Sequence, residues 1–349
     1  MNASRAADDA VDWAPCSDRS RERGDPLAAT ASRGLRWFLV EVEGPWGANA
    51  FSTSALGRKL GQAIVHRVEA AGMRPLAIRR VARASQVDQR LVTRSAATTP
   101  RSTVGSPART ITETHWRWAS VDSRPGFEQI RWGSVDDPHA LLEVPLDGSA
   151  GILSTDPIFC VCTHAKHDQC CAVRGRPVAL ALSAEYPEAT WECSHLGGDR
   201  FAGTMVVFPE GLYFGRADDV ASTLIVRDYL DGRVDEAHFR GRSSLSHPVQ
   251  AAQHYARRRL GDDRLASFRP IAETAVPGAR PGVFAVTLAA PAPALVPDHG
   301  ASYSQAPSDS VVHVVVAETL SVPLLSTCAA TRFGRVREFE LLSIEVTPM

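Results

Sequence analysis

The sequence predicts an α/β protein, because segments with strand character alternate with segments of helical periodicity. Two observations support this class. A strand–helix–strand run begins near residue 35, and a second such run begins near residue 158 and is followed by a hairpin and a further helix. The chain has 349 residues, which is enough for two or three domains with a buried core.

The first run consists of an apolar strand, an amphipathic helix and three further strands. The helix is predicted from apolar residues at every fourth position and ends near Gly72: Leu56, Leu60, Ile64 and Val68. Strands are predicted over residues 35–43 and 74–81, and then over 114–121 and 129–132. A strand, a crossover helix and a second strand of this length suit a parallel pair.

The second run gives the order β–α–β–β–β–α, which is close to the thioredoxin-like arrangement. Its predicted strands are 158–162, 190–193, 205–208 and 212–215, the last two forming a hairpin. Its predicted helices are 177–186, with Pro177 in the first turn, and 221–230. Residues 35–135 then resemble a degenerate copy of the same arrangement.

The C-terminal region is predicted to be one helix followed by β-strands. Ser246 is a candidate N-cap for the helix, and strands are predicted near residues 283–288, 311–316 and 337–344. Residues 94–110 and 289–309 have the composition of surface loops. The predicted regions are an N-terminal arm (1–34), a degenerate thioredoxin-like α/β domain (35–150), a thioredoxin-like domain (151–245) and a helix plus β-rich region (246–349).

Composition argues against several classes of partner. The net charge is −1, so no strong field attracts nucleic acid or an acidic membrane. No apolar run reaches membrane-spanning length, and the N-terminal segment lacks the apolar core of a signal peptide. We therefore expect a cytoplasmic protein with neither nucleic acid nor membrane as a partner. In that reducing compartment, clustered cysteines indicate metal binding or redox chemistry rather than disulfides.

Five of the seven cysteines lie between Cys160 and Cys193. Cys162 follows an apolar strand and opens a polar loop that contains Cys171, and His195 lies just past the next strand. Because neighbouring strand ends bring such loops together, these three residues form a plausible metal site. Thiolates combined with imidazole are typical ligands of iron–sulfur clusters and of zinc.

Two residues compete to be the fourth ligand. Cys193 is the better intrinsic ligand, but it lies two residues before His195 and can still belong to the strand, facing another side. Asp199 lies four residues after His195, beyond Gly197-Gly198. Asp199 can supply a carboxylate, or it can orient an imidazole as a hydrogen-bond acceptor.

The other cysteines, and two histidines of the loop, are expected to be structural, loop-ordering or solvent-facing: Cys16, Cys160, Cys170, Cys328, His164 and His167. Cys160 alternates with Cys162 on the strand and suits a small buried apolar position. Cys170 directly precedes Cys171, and only one of two adjacent cysteines usually reaches a given metal. Cys16 and Cys328 are isolated in the sequence.

The central motifs resemble the sucrase/ferredoxin-like family. They are Cys162–Ala172 (C-T-H-x-x-x-D-x-C-C-A), Trp191–Gly203 (W-E-C-S-H-L-G-G-D-R-F-A-G), Pro209–Gly215, Trp37–Glu41 and Phe239–Ser244. The likeness covers roughly residues 15 to 265. It implies that residues 151–245 are a thioredoxin-like ferredoxin domain that binds a [2Fe–2S] cluster.

In fungal relatives the ligands are two cysteines and two histidines spaced H-x-x-x-H. Cys162 and Cys171 match the two cysteine positions, and His195 matches the first histidine. Asp199 occupies the second histidine position, so the fourth ligand stays open between Asp199 and Cys193.

Three functions follow as hypotheses. The first is an electron carrier, rather than an enzyme, with a [2Fe–2S] cluster under mixed Cys/His ligation; since the sequence shows no flavin or NAD site, a reductase or electron acceptor is then an unidentified partner. The second is a structural or regulatory zinc protein. The third is a thiol-redox enzyme that uses Cys162 or the Cys170-Cys171 pair, although the chain contains no C-x-x-C motif. No sucrase activity is expected, because no paired carboxylates stand out.

Overall fold

The structure is a computed structural model that describes residues 14–81, 115–290 and 309–348. Within these residues lie a ten-stranded mixed sheet and a four-stranded antiparallel sheet, so the α/β class is confirmed. Of the two predicted loops, 94–110 and residues 291–308 lie outside the described residues, as do residues 1–13 of the predicted arm. Among the described helices, none combines the length and apolar character needed to cross a membrane.

The first half of the large sheet follows a short N-terminal helix. Its elements are α1 (Cys16–Glu22), β1 (Arg36–Glu41), α2 (Arg58–Ala70), β2 (Arg74–Arg80), β3 (Trp116–Asp122), β4 (Gln129–Val135), a 3₁₀ turn (Pro138–Leu142) and β5 (Ile152–Ser154). β1 and β2 form the expected parallel pair, joined by α2. The helix predicted from the apolar spacing is present, and three of its four marker residues, Leu60, Ile64 and Val68, are buried on one face.

The second half repeats this plan. Its elements are β6 (Ile158–Cys162), α3 (Gln169–Glu185), β7 (Thr190–Cys193), a 3₁₀ turn (Asp199–Phe201), β8 (Met205–Phe208), β9 (Leu212–Phe214), α4 (Asp219–Leu230) and β10 (Phe239–Arg242). The predicted hairpin is confirmed as the antiparallel pair β8–β9. The helix predicted over residues 221–230 is α4.

The two halves share one strand order. In the first the order is β2-β1-β3-β4, and in the second it is β7-β6-β8-β9. In both, the first two strands are parallel, the third is antiparallel to the first, and the fourth is antiparallel to the third. The division of the chain into domains 35–150 and 151–245 stays a prediction.

The halves join through an antiparallel overlap of β2 and β7 that is only three residue pairs long. Across this junction, Glu41 pairs with Ile78, Ile78 with Cys193, and Cys193 with Cys162. The carboxyl ends of β1 and β6 therefore lie on one row of the sheet. As a result, the loops that follow these two strands meet, and His164 Nε2 lies 2.7 Å from the carbonyl oxygen of Gly47.

The C-terminal region forms the second sheet and one helix, as predicted. Its elements are α5 (His247–Leu260), β11 (Arg269–Ala275), β12 (Val283–Ala290), β13 (Ser310–Leu320) and β14 (Arg337–Pro348). The Ser246 hydroxyl accepts a hydrogen bond from the N–H of Val249, which confirms the predicted N-cap. One buried apolar cluster joins α5 to this sheet and includes Val249, Ala252, Ala256, Val286 and Leu288.

One prediction of local structure needs correction. Helix α3 begins at Gln169 and not at Pro177, which lies inside the helix. The earlier start is favoured because the Asp168 side chain caps the helix by accepting the N–H of Cys170 at 2.8 Å. The described part of the arm contains α1, and residue Thr30 donates its backbone N–H to the carbonyl oxygen of Arg240. This segment is therefore packed against the second half.

Candidate metal centre

The structure brings together Cys162, Cys171 and His195, whose candidate ligand atoms all lie within 4.8 Å of one another. Cys162 is the last residue of β6, and Cys171 lies in the first turn of α3 rather than in a loop. His195 lies two residues after β7. Both thiols are buried, whereas the His195 side chain is partly exposed. We call this group the Cys162 group.

Close packing of α3 against β6 produces this convergence. A Cβ atom on Gly175 would lie 2.1 Å from the carbonyl oxygen of Cys162, so only glycine allows the helix to lie this close to the strand end. The Asp168 cap fixes where the helix starts. Together these two features place Cys171 beside Cys162.

Asp199 reaches the Cys162 group from the turn after β7. Its Oδ1 accepts a hydrogen bond from the Cys171 thiol at 3.2 Å and lies 3.0 Å from His195 Nδ1. Gly198 precedes it with φ +82°, and a Cβ there would also lie 2.5 Å from a nitrogen of Arg240. The Gly197-Gly198 turn therefore allows the buried Asp199 carboxylate to point into the site.

His167 is a site residue that the sequence reasoning missed. It is exposed, as a solvent-facing residue should be, but its ring stacks on His195 with centroids 3.7 Å apart. Its Nε2 lies 3.9 Å from Asp199 Oδ2, and His167, His195 and Asp199 form a second potential ligand set. The signal in the sequence was its position in the loop between the two cysteines. His164, in contrast, is buried and fixes the loop through Gly47, in agreement with its predicted role.

The charges of the site depend on one another. Burial opposes charge on His195, but its contacts with Asp199 and Cys162 prevail and raise its pKa to about 9. Burial likewise opposes charge on Asp199, yet the same contact with His195 lowers the pKa of the carboxyl. The hydrogen bond from Cys171 lowers the pKa of Cys162, while that thiolate and burial raise the pKa of Cys171. The contacts among these groups therefore favour the charged forms of Cys162, His195 and Asp199.

Cys193 is not part of these ligand sets among the described residues. It is the last residue of β7 and is fully buried. Burial and the neighbouring thiol of Cys160 raise its pKa. Its thiol therefore interacts with Cys160 inside the core, while His195, two residues later, reaches the site.

Cys170 joins a different group from that of Cys171. Successive helix residues point about 100° apart, so the two adjacent cysteines face different surroundings. Cys16 and Cys328 are isolated in the sequence, but the structure places both of them beside Cys170, with Asp168 adjacent. Sequence spacing did not indicate this group, because the fold joins segments that are far apart along the chain.

The chain matches the model of a family described as sucrase/ferredoxin-like over residues 27–241, which is more than half of its length. The chain belongs to the sucrase/ferredoxin-like family. The match includes the three residues of the Cys162 group and Asp199. No curated protein and no solved structure matches it.

Proposed function

We propose that this member of the sucrase/ferredoxin-like family is an electron carrier that binds a [2Fe–2S] cluster through Cys162, Cys171, His195 and Asp199. The observation that carries the proposal is the convergence of two buried thiols and one imidazole from three separate elements. Thiolate and imidazole are the ligand types known for such clusters. The shared strand order of the two halves supports a thioredoxin-like arrangement for each.

Two thiols and one imidazole of the donor set are of the kinds known for this cofactor, and the Asp199 carboxylate brings the number of ligands to four. Asp199 is proposed as the fourth ligand because its carboxylate contacts both Cys171 and His195, whereas Cys193 interacts with Cys160. His167 shares a second potential ligand set with His195 and Asp199, and its stacking on His195 makes it the residue to test against Asp199. Both thiols are only 2–3% exposed, which protects them from oxidants and from exchange with other metals.

The mixed ligands would set the redox range. When bound, the cluster supplies one-electron chemistry. Imidazole carries less negative charge than thiolate, so a histidine ligand raises the potential. Two histidines on one iron raise it from about −400 mV to between roughly −150 and +300 mV. We expect the single His195 to give an intermediate value.

The exposed edge of the site is where a partner would dock. The His195 side chain is 28% exposed and that of the neighbouring His167 is 39% exposed, while Cys162, Cys171 and Asp199 are buried. Electrons would enter or leave on this histidine side. The partner is a redox protein, either a reductase or an electron acceptor.

A zinc protein is the second candidate, because ligand atoms within 4.8 Å of one another can also surround a single ion. Anaerobic purification followed by metal and sulfide analysis distinguishes the electron carrier from the zinc protein. The electron carrier should be red-brown, with iron and acid-labile sulfide in equal amounts. A colourless preparation with zinc and no iron would contradict the cluster. A folded metal-free chain with one rapidly alkylated thiol would instead favour a thiol-redox enzyme.

Electron paramagnetic resonance of the dithionite-reduced protein tests the ligands. We expect His195→Cys and Asp199→Ala to change the spectrum, because each alters an atom bound to iron. Cys193→Ser and His167→Ala serve as matched controls and should leave it unchanged. If the spectrum is unchanged in Asp199→Ala but changed in His167→Ala, His167 is the fourth ligand instead of Asp199.

A further inference from the structure

A group of three thiols lies on the other side of the first turn of α3. Cys16 comes from α1, Cys170 from α3, and Cys328 from the segment between β13 and β14. Their sulfur atoms are 3.6 Å apart for Cys16–Cys170, 3.1 Å for Cys170–Cys328 and 3.5 Å for Cys16–Cys328. We call these residues the three-thiol cluster.

The spacing suits sulfur atoms around one metal ion. The distances are far longer than the roughly 2.05 Å of a disulfide bond, and all three cysteines are free. Three sulfurs at about 2.3 Å from a tetrahedral zinc ion lie about 3.8 Å apart, and the observed sulfur–sulfur distances of 3.1–3.6 Å are somewhat shorter than this. The Asp168 carboxylate lies beside the triangle, with Oδ2 at 3.9 Å and Oδ1 at 4.0 Å from the Cys16 sulfur.

We propose that Cys16, Cys170, Cys328 and Asp168 bind a thiophilic divalent cation of the zinc class, at a site separate from the Cys162 group. Cys16, Cys170 and Asp168 are buried, and only Cys328 is partly exposed. Four protein ligands in a buried position are the pattern of a closed structural site, with no open position for a substrate.

Hydrogen bonds around the cluster prepare it for a cation. The Ser17 hydroxyl donates to the Cys170 sulfur at 3.4 Å, and the backbone N–H of Cys16 donates to the Cys328 sulfur at 3.5 Å. Asp168 accepts the N–H of Cys170 on Oδ1 at 2.8 Å and that of Cys328 on Oδ2 at 2.7 Å. These donors orient the ligands and stabilise their negative charge, as outer groups do in metal sites.

The proposed ion would tie remote segments to the helix that carries Cys171. Cys170 is 154 residues from Cys16 and 158 residues from Cys328 along the chain. Cys170 and Cys171 are adjacent, so fixing one restrains the other. The role is structural: the ion holds the start of α3 in place from the side opposite the Cys162 group.

Metal analysis of the full chain tests the proposal. We expect about one zinc per chain after purification under reducing conditions without chelator. Cys16→Ser and Cys328→Ser should each lower that zinc content at least fivefold, whereas Cys162→Ser should keep it. Zinc that is lost in Cys162→Ser and retained in Cys328→Ser would overturn the proposal, and so would a wild-type chain that takes up no zinc on dialysis against Zn²⁺. Iron content is measured in parallel, so failure of this site and failure of the cluster are separate results.

Two further measurements cover variants that fold poorly. In the wild-type chain, alkylation of the partly exposed Cys328 should be at least tenfold faster after chelation of zinc, and an unchanged rate would contradict metal binding there. Asp168→Asn keeps a good N-cap residue but removes the charge, so we expect zinc affinity to fall about 10- to 100-fold. Cys160→Ala is the matched control and should change neither quantity.

Discussion

The two halves of the large sheet have the same strand order but very different loops at equivalent places. After β6, the chain supplies His164, His167 and the cysteines of α3. After β1, the equivalent loop contains Gly44-Pro-Trp-Gly and no cysteine or histidine before α2. The comparison shows that the topology provides a meeting point for loops, and that the sequence of each loop decides whether candidate ligands lie there.

The first half supports the second at this point. The Trp46 ring meets the edge of the His164 ring at 5.8 Å, and the Arg79 guanidinium lies 4.2 Å above Trp46. His164 in turn contacts the carbonyl oxygen of Gly47. The loop after β1 thus holds the loop after β6, which contains His164, in place. The loop after β1 itself supplies none of the proposed ligands.

Loss of one thiol ligand from the second half should have the largest effect of all the substitutions. We expect Cys171→Ser to lower iron content at least tenfold, since a serine hydroxyl is a poor substitute for a thiolate. Cys160→Ala removes a nearby thiol from the same half and should leave iron content unchanged. Equal iron content in the two variants would show that the cofactor binds elsewhere.

Removal of Trp46 should show how much the second half depends on the first. Trp46 is 6% exposed and donates its Nε1–H to the carbonyl oxygen of Val42 at 2.9 Å. Trp46→Ala should lower the free energy of unfolding by about 3–5 kcal/mol in denaturant titration. The exposed Phe127→Ala is the control, with an expected change within about 0.5 kcal/mol. The cofactor content of both variants is then measured at the same denaturant concentration. If both variants keep their cofactor, the contact between Trp46 and His164 does not support the site.

The junction between the halves contains an ion pair that can be broken selectively. Arg79 Nε lies 2.6 Å from a Glu192 carboxylate oxygen, and both side chains are largely buried. We expect Arg79→Gln to lower the free energy of unfolding by about 1–3 kcal/mol, because Glu192 keeps its charge without its partner. Arg80, the next residue of β2, forms an exposed ion pair with Glu188. Glu188→Gln breaks this pair and should lower the free energy of unfolding by less than about 1 kcal/mol. Equal losses of unfolding free energy in the two variants would mean that burial of the Arg79–Glu192 pair adds nothing to stability.

Helix capping gives the smallest expected difference between the halves. α2 follows Gly57 without a side-chain cap, whereas α4 has Asp218 as its N-cap, and the Asp218 carboxylate accepts the N–H of Ala221 at 2.8 Å. Asp218→Ala should therefore lower the free energy of unfolding by about 1 kcal/mol. Asp219→Ala, one residue later, removes the same charge without that bond and should cost only a few tenths. Indistinguishable melting curves for the two variants would contradict the cap.

The sequence was most informative where the determining contacts are local. The helix over residues 58–70 followed from apolar spacing, and the approach of Cys162 to His195 followed from two neighbouring strand ends. The start of α3 was predicted wrongly because proline is common in first turns, while the Asp168 cap that decides it is a single side-chain hydrogen bond. The three-thiol cluster could not be predicted from spacing at all, since it depends on how the second sheet and α1 return to α3.

The short overlap of β2 and β7 also has a mechanical consequence. Only three residue pairs join the two five-stranded halves, so few backbone hydrogen bonds oppose a change of angle at this junction. The proposed ligands begin one strand away from it, and the loops from both halves meet across it. Any rotation of one half against the other would therefore change the contact between His164 and Gly47.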